Sequence, residues 1–219
     1  MPGFDALVFD LDGTLVDTLE DLGASMNAAL AEFGLPQWPM ADYRFMVGNG
    51  MRKLTERAVG EKADPERIEA ILRRFLQIYD RDCLVCSHPY EGMPETVAAL
   101  RREGLCLLVV TNKAEAQAVK IVTQLFPGMF EGIYGNMPGR PTKPDPCFTL
   151  EVLTQRNIKP GRALFIGDSN VEIETAYAAG MRSAGAIWGF RGEKELRAAG
   201  ADFLMAHPAD LLEIVENNG

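Results

Sequence analysis

Two carboxylates two residues apart, Asp10 and Asp12, close an apolar run in the stretch VFDLDGTLVDT, Val8 to Thr18. In an extended strand, residues i and i+2 share a face, so both side chains would leave the strand's carboxyl end together, a nucleophile beside a proton donor. Asp12-Gly13 is a turn signal that would steer the chain sharply out of a sheet. An isolated Asp-x-Asp-Gly is as well suited to capping a turn as to chemistry, and three further stretches bear on the choice. In LLVVTNK, Leu107 to Lys113, an apolar run ends in Thr111 and Asn112, where a hydroxyl and backbone N–H groups ahead of a helix suit a phosphate. In TKPDP, Thr142 to Pro146, Pro144 biases Lys143 towards an extended conformation and Asp145-Pro146 starts a helix. In LFIGDSNVEIETAYAAG, Leu164 to Gly180, a strand-like run ends in Gly167-Asp168-Ser169, and Glu172 follows in the first helical turn, where an acid also favours the helix dipole.

Positioning these groups requires a sheet. Four short apolar runs, Ala6 to Phe9, Leu105 to Val110, Ala163 to Ile166 and Ala184 to Ile187, read as buried parallel strands. Helical patterns lie between them: Pro94 to Glu103, Ala114 to Leu125, and a helix from Asp145-Pro146 to Asn157. The alternation predicts an α/β fold with a doubly wound, Rossmann-like parallel sheet, whose ligands bind beyond the strands' carboxyl ends, where Asp10, Thr111 and Asp168 all fall. From about Asp17 to Ser87 the alternation stops. Leu19, Leu22, Met26, Leu30 and Phe33 recur at helical spacing, as do Ile68, Leu72, Phe75, Leu76 and Tyr79 after Asp64-Pro65. The expected organisation is a core of residues 1–16 plus 88–219 and an inserted α-helical cap domain, 17–87, hung over the site by hinges at Val16 to Thr18 and Cys83 to Pro89.

The chain has 219 residues, with Lys+Arg 22 against Asp+Glu 31 and a net charge of -9, which disfavours nucleic acid and anionic membrane as partners. No basic segment leads into an apolar stretch at the amino terminus and no apolar run is long enough to span a bilayer, so a cytoplasmic protein is expected; no protein partner is evident. Cys83-x-x-Cys86 has no second pair and no suitably placed histidines for a zinc site, and Cys106 and Cys147 read as small buried hydrophobes. His88 reads as a loop residue, Trp188 as packing, and His207-Pro208 as the start of the last helix.

Taken in order, DLDGTLVDT, TNK, the lysine before proline and GDSNVE resemble the haloacid dehalogenase superfamily, specifically its magnesium-dependent phosphatases with a helical cap inserted after the first motif. The resemblance covers nearly the whole chain, and VGNGMRKLTERAVG, Val47 to Gly60, is similar to the phosphoglycolate phosphatase branch. It implies Mg²⁺, a phosphoaspartate intermediate and a small phosphorylated metabolite as substrate. It also implies that Asp10 and Asp168 side chains and the Asp12 carbonyl bind the metal. A carboxylate is ionised at neutral pH and needs no partner base to attack phosphorus, which suits Asp10 as nucleophile. Asp12 would give a proton to the departing alkoxide and take one from the hydrolytic water.

Asp10, Asp12, Asp168 and Glu172 around a phosphate dianion repel one another. Lys143 and the metal would offset this, since a unit charge pair at about 4 Å contributes on the order of 4 kcal/mol at an effective dielectric of ~20. Glu172 stands where the family more often has Asp, which leaves open whether it reaches a metal-bound water, Lys143 or neither. In the cap, Gly48, Asn49 and Gly50 ahead of a helix would present N–H groups to a second anionic group of the substrate, with Arg52 assisting; an ordinary interhelical turn fits the same residues. Dehalogenases of the superfamily lack the second aspartate, so Asp12 argues against them. A sugar-phosphate mutase keeps both aspartates, and a non-catalytic phosphate-ligand binding protein would keep the fold.

Overall fold

The computed structural model describes residues 3–60 and 63–218. Residues 1–2 and 219 of the expected core and 61–62 of the expected cap lie outside the described residues. β1 (Ala6–Phe9) leads into the two-residue strand β2 (Val16–Asp17). Four helices follow: α1 (Leu19–Glu32), α2 (Tyr43–Met46), α3 (Met51–Val59) and α4 (Pro65–Asp82). The chain returns through β3 (His88–Pro89), α5 (Met93–Arg102), β4 (Cys106–Ala114), α6 (Glu115–Leu125) and β5 (Gly132–Asn136). It closes with α7 (Cys147–Gln155), β6 (Ala163–Gly167), α8 (Asn170–Ala179), β7 (Arg182–Ala186), α9 (Glu193–Ala199), β8 (Phe203–Met205) and α10 (Asp210–Asn217).

Six strands form one parallel sheet in the order β5-β4-β1-β6-β7-β8. Its central strands carry apolar residues on both faces, as a sheet covered by helices on both sides requires. Leu7, Phe9, Leu107, Val109, Leu164 and Ile166 pack with Val97 and Leu100 of α5, Ile121 of α6 and Leu211 of α10. Ala6, Val8, Leu108, Val110, Ala163 and Phe165 pack on the other face with Val152 and Leu153 of α7 and Ala176 of α8. The chain builds outward from β1 to β4 and β5, then reverses to β6, β7 and β8. Asp10 therefore stands at the switch point, beside the carboxyl ends of β4 and β6.

The sheet differs from the expected four strands at its edges. β5 and β8 are additional: GIYGN is only half-buried along most of its length and FLM has three residues, so neither presents the continuous apolar run of an inner strand. β4 runs on through Thr111, Asn112 and Lys113 to Ala114, with an irregularity in its pairing to β5 between Val110 and Ala114. α7 stops at Gln155 rather than Asn157, and the last helix begins at Asp210, whose carboxylate accepts hydrogen bonds from Ala206 and His207 N–H, not at His207-Pro208. Cys147, expected to be buried, is exposed at the start of α7; all four cysteines are free.

In the inserted helical segment α1 packs against α4, and α4 starts as Asp64-Pro65 suggests, with the Asp64 carboxylate accepting from Glu66 N–H at 3.1 Å. Both connections to the core run through an antiparallel ribbon, Val16 opposite Pro89 and Asp17 opposite His88. Buried Asp21 of α1 clasps the returning strand: its carboxylate accepts from Cys86 N–H (2.9 Å), Ser87 N–H (2.8 Å) and Ser87 Oγ (2.6 Å). Asp21→Ala orphans these donors and is expected to destabilise the chain by about 2 kcal/mol or more, measured as a lower urea midpoint.

Candidate functional site

Asp10 follows the last residue of β1 and is 6 % exposed, its side chain held at the sheet's edge by the buried strand behind it. Gly13 turns the chain away with φ +83°, and a Cβ there would stand 2.4 Å from Asp168 Oδ2, so only glycine lets the first loop approach the acid at the end of β6. Phe190 N–H donates to Asp168 Oδ2 at 2.7 Å. Lys143 Nζ lies between two acids, 2.9 Å from Asp10 Oδ1 and 2.7 Å from Glu172 Oε1, with all three side chains almost wholly buried. Asp10 Oδ1, though paired with the ammonium by distance, makes no hydrogen bond of good geometry.

Glu172 has its second oxygen occupied as well. Oε2 accepts from Ser169 N–H (3.3 Å) and Ser169 Oγ (2.7 Å), part of a capping box at the start of α8. The acid left open by its extra methylene thus reaches Lys143. Asn112 ties the second and third motifs together: its amide accepts from Lys143 N–H (2.9 Å) and donates to Lys143 O (3.0 Å) and to Gly48 O ahead of α3 (3.1 Å). Thr111 Oγ1 accepts from Lys113 N–H at 3.2 Å.

Burial dominates the electrostatics. It pushes the Asp10 carboxyl up to about 6, with Glu172 and Asp12 adding to the rise and Lys143 opposing it. Asp168 is pushed well above the usual carboxylate range by burial, then by Glu172 and Asp10. For Lys143 burial favours the neutral amine, but Asp10 and Glu172 together hold its affinity for the proton above that of an ordinary lysine. Three buried carboxylates, Asp10, Asp168 and Glu172, offer oxygens within 4.8 Å of one another against this one ammonium, an all-oxygen set short of positive charge. With both Glu172 oxygens engaged by Lys143 and Ser169, Asp10 and Asp168 are the pair suited to a hard divalent cation.

Thr18 and Lys113, neither singled out in the sequence, hold Asp12: Thr18 Oγ1 and Lys113 Nζ both stand 2.7 Å from Asp12 Oδ1. The TNK ending carried a trace of Lys113, but an ammonium after an apolar strand usually reaches water. The Ser-x-x-Glu spacing of the capping box was legible; the Phe190 N–H was not, because any residue supplies one.

Asp10, Asp12, Thr111, Asn112 and Lys113 line a cavity together with Leu22, Val47, Gly48, Gly50, Met51 and Leu54 of the inserted helical segment. It offers about 20 Å³ to water-sized molecules, room for about one or two waters. Arg52, expected to assist there, is turned outward with its side chain 59 % exposed and pairs with Glu56 and Glu69, partners at helical spacing and on α4 that draw it to the surface. Asn49 Oδ1 accepts from Arg57 at 2.7 Å. Arg191, in the loop after β7, donates to the main-chain oxygens of Val47 (3.0 Å) and Phe45 (3.4 Å), tying that loop to the glycine-bearing loop ahead of α3. Trp188 meets Tyr90 in a tilted ring contact and donates to Thr14 O at 3.1 Å, and exposed His88 lies against Cys86 O. No helix among the described residues is long and apolar enough to cross a membrane.

Residues 7–186 match the family model described as haloacid dehalogenase-like hydrolase. The chain is 32 % identical over 213 residues to a phosphoglycolate phosphatase of Aquifex aeolicus, covering 97 % of each chain. It is 36 % identical over 215 residues to an N-acetylmuramic acid 6-phosphate phosphatase of Pseudomonas aeruginosa, covering 96 % of this chain and 94 % of that one. A crystal structure from Lactobacillus delbrueckii subsp. bulgaricus, provisionally assigned as a phosphoglycolate phosphatase, superposes with a TM-score of 0.92 at 27 % identity over 98 % of this chain and 99 % of that one.

Proposed function

We propose, from the premise that this chain belongs to the haloacid dehalogenase-like hydrolases and is a phosphatase among them, that it hydrolyses a small phosphate monoester through Asp10, with 2-phosphoglycolate its first substrate. The observation that carries this is that buried Asp10, paired with Lys143, lines one cavity with Asp12 at the switch point of the sheet. An Asp10 oxygen would attack phosphorus as the bond to the leaving alkoxide breaks, and Asp12 would protonate that oxygen. Water then attacks the aspartyl phosphate, passes its proton to Asp12, and restores Asp10 with release of phosphate. Lys143 holds the Asp10 carboxylate in place and offsets the charge of Glu172. Mg²⁺ on Asp10, Asp168 and the Asp12 carbonyl would supply a positive charge to the phosphoryl oxygens.

The relatives act on esters of different size. A cavity of about 20 Å³ is too small for either, so substrate enters only when the cap lifts. The carboxylate of 2-phosphoglycolate would meet the N–H groups of Gly48 and Gly50 at the start of α3, since Arg52 points away. Phosphate release in Mg²⁺ from 2-phosphoglycolate, N-acetylmuramic acid 6-phosphate and 4-nitrophenyl phosphate tests the reading. The highest kcat/KM is expected for 2-phosphoglycolate, and no release from any ester would overturn phosphatase function.

The raised carboxyls give a pH signature. A folded-state pKa above the unfolded value means that the native chain binds more protons between the two, so stability is greatest below the unfolded value and falls as pH rises through about 6. In chelator, the melting temperature is therefore expected to fall from pH 5 to pH 7.5. Added Mg²⁺, which competes with those protons, is expected to raise it more at pH 7.5 than at pH 5. Equal Mg²⁺ stabilisation at both values would count against a metal on these acids.

A further inference from the structure

We propose that Lys113 is the residue that positions Asp12 for proton transfer, and that the cap completes this arrangement by laying the ring of Tyr79 over the Lys113 ammonium. The proposal rests on the phosphatase reading. Asp12 Oδ1 accepts from two donors at 2.7 Å, Lys113 Nζ and Thr18 Oγ1. With Oδ1 so engaged, Oδ2 is the oxygen left to carry a proton and give it up. An ammonium fixes this better than a hydroxyl, because it cannot turn round and accept.

The Lys113 side chain is fully buried, although a lysine loses much hydration there. Its compensation comes from Asp12 and from the face of Tyr79, whose ring centroid is 4.6 Å from Nζ. Tyr79 belongs to α4 of the cap, is itself fully buried, and its hydroxyl has no hydrogen-bond partner, so the ring rather than the hydroxyl accounts for its place. Thr18 lies where the chain enters the cap and Tyr79 close to where it leaves. Two of the three groups arrayed about Asp12 thus come from the segment that must move for substrate to enter. When the cap lifts, Tyr79 leaves the ammonium and water reaches it; when the cap shuts, the proton donor is set. Closure then does more than exclude solvent, since it assembles the acid that the departing alkoxide needs.

The test uses two esters of nearly equal shape whose leaving groups differ in their need for a proton. 4-Nitrophenolate departs readily as the anion, whereas phenolate from phenyl phosphate departs with protonation. Lys113→Met is expected to lower kcat/KM, which reports the steps up to departure of the alcohol, for phenyl phosphate by about 100-fold, the scale of lost general acid catalysis, and for 4-nitrophenyl phosphate far less; kcat, which also includes the Asp12-assisted attack of water, falls for both. Tyr79→Leu is expected to show the same selectivity at smaller size, and Tyr79→Phe to match wild type on both esters. Should Lys113→Met fail to melt cooperatively, Tyr79→Leu and Thr18→Val carry the test. Equal losses of kcat/KM on the two esters in these variants would mark a merely structural role and overturn the proposal, as would a loss in Tyr79→Phe as large as in Tyr79→Leu. Failure of the wild-type chain on both esters and on 2-phosphoglycolate would overturn the phosphatase reading and this proposal with it.

Discussion

Asp10→Asn is expected to lower phosphatase turnover by about four orders of magnitude or more, the scale on which removal of a covalent nucleophile acts. An amide oxygen is a poor nucleophile towards phosphorus, and the neighbouring acids Asp12 and Glu172 are held by other partners. Asp12 is engaged by Lys113 and Thr18, and Glu172 by Lys143 and Ser169. The fold should survive, because asparagine has nearly the same shape and the change removes a carboxyl that burial, Glu172 and Asp12 already disfavour as an anion. At pH 7.5 in chelator the variant is expected to melt no lower than wild type and to show a weaker pH dependence. Acid-quenched wild-type protein should carry phosphate during turnover and the variant should not. Near-normal turnover in Asp10→Asn would reject the nucleophile.

Lys143→Met is expected to be the most destabilising change in the site, by about 3–5 kcal/mol near neutral pH, because it strands buried anions without their cation. Asp10 Oδ1 and Glu172 Oε1 are 2.9 and 2.7 Å from the ammonium, and the lysine side chain is only 3 % exposed, so water has little access to take over. The sign of its pH dependence follows. Without Lys143 the acids bind protons more tightly in the folded state, so acidification relieves the strain. The deficit relative to wild type should be largest at pH 8 and shrink towards pH 5. Urea unfolding at both values measures it, and a deficit independent of pH would mean that packing, not charge, dominates. Turnover should fall with it, since Lys143 also holds Asp10 in place.

The inner sheet was legible because its strands are short apolar runs buried on both faces, and such runs have few other places to go. Asp10, Thr111 and Asp168 then converge by geometry alone, since parallel strands bring their carboxyl ends to one edge. β5 and β8 were not legible, for Gly132, Gly135 and three-residue FLM lack the pattern that burial imposes on an inner strand. Long polar side chains were the other blind spot. Arg52 and Lys113 look alike in sequence, yet Glu56 and Glu69 draw one to the surface while Asp12 and Tyr79 draw the other inside. Where a flexible cation ends is decided by partners far along the chain, here 101 residues away for Lys113.

Arg191 grips the carbonyl oxygens of Val47 and Phe45, and every amino acid in those places would offer the same atoms. The fastening is therefore blind to side-chain identity. Substitutions in the neighbouring loop could retune which alcohol is accepted while the two halves of the protein still met in register. Chemistry and taste would be free to evolve at different speeds.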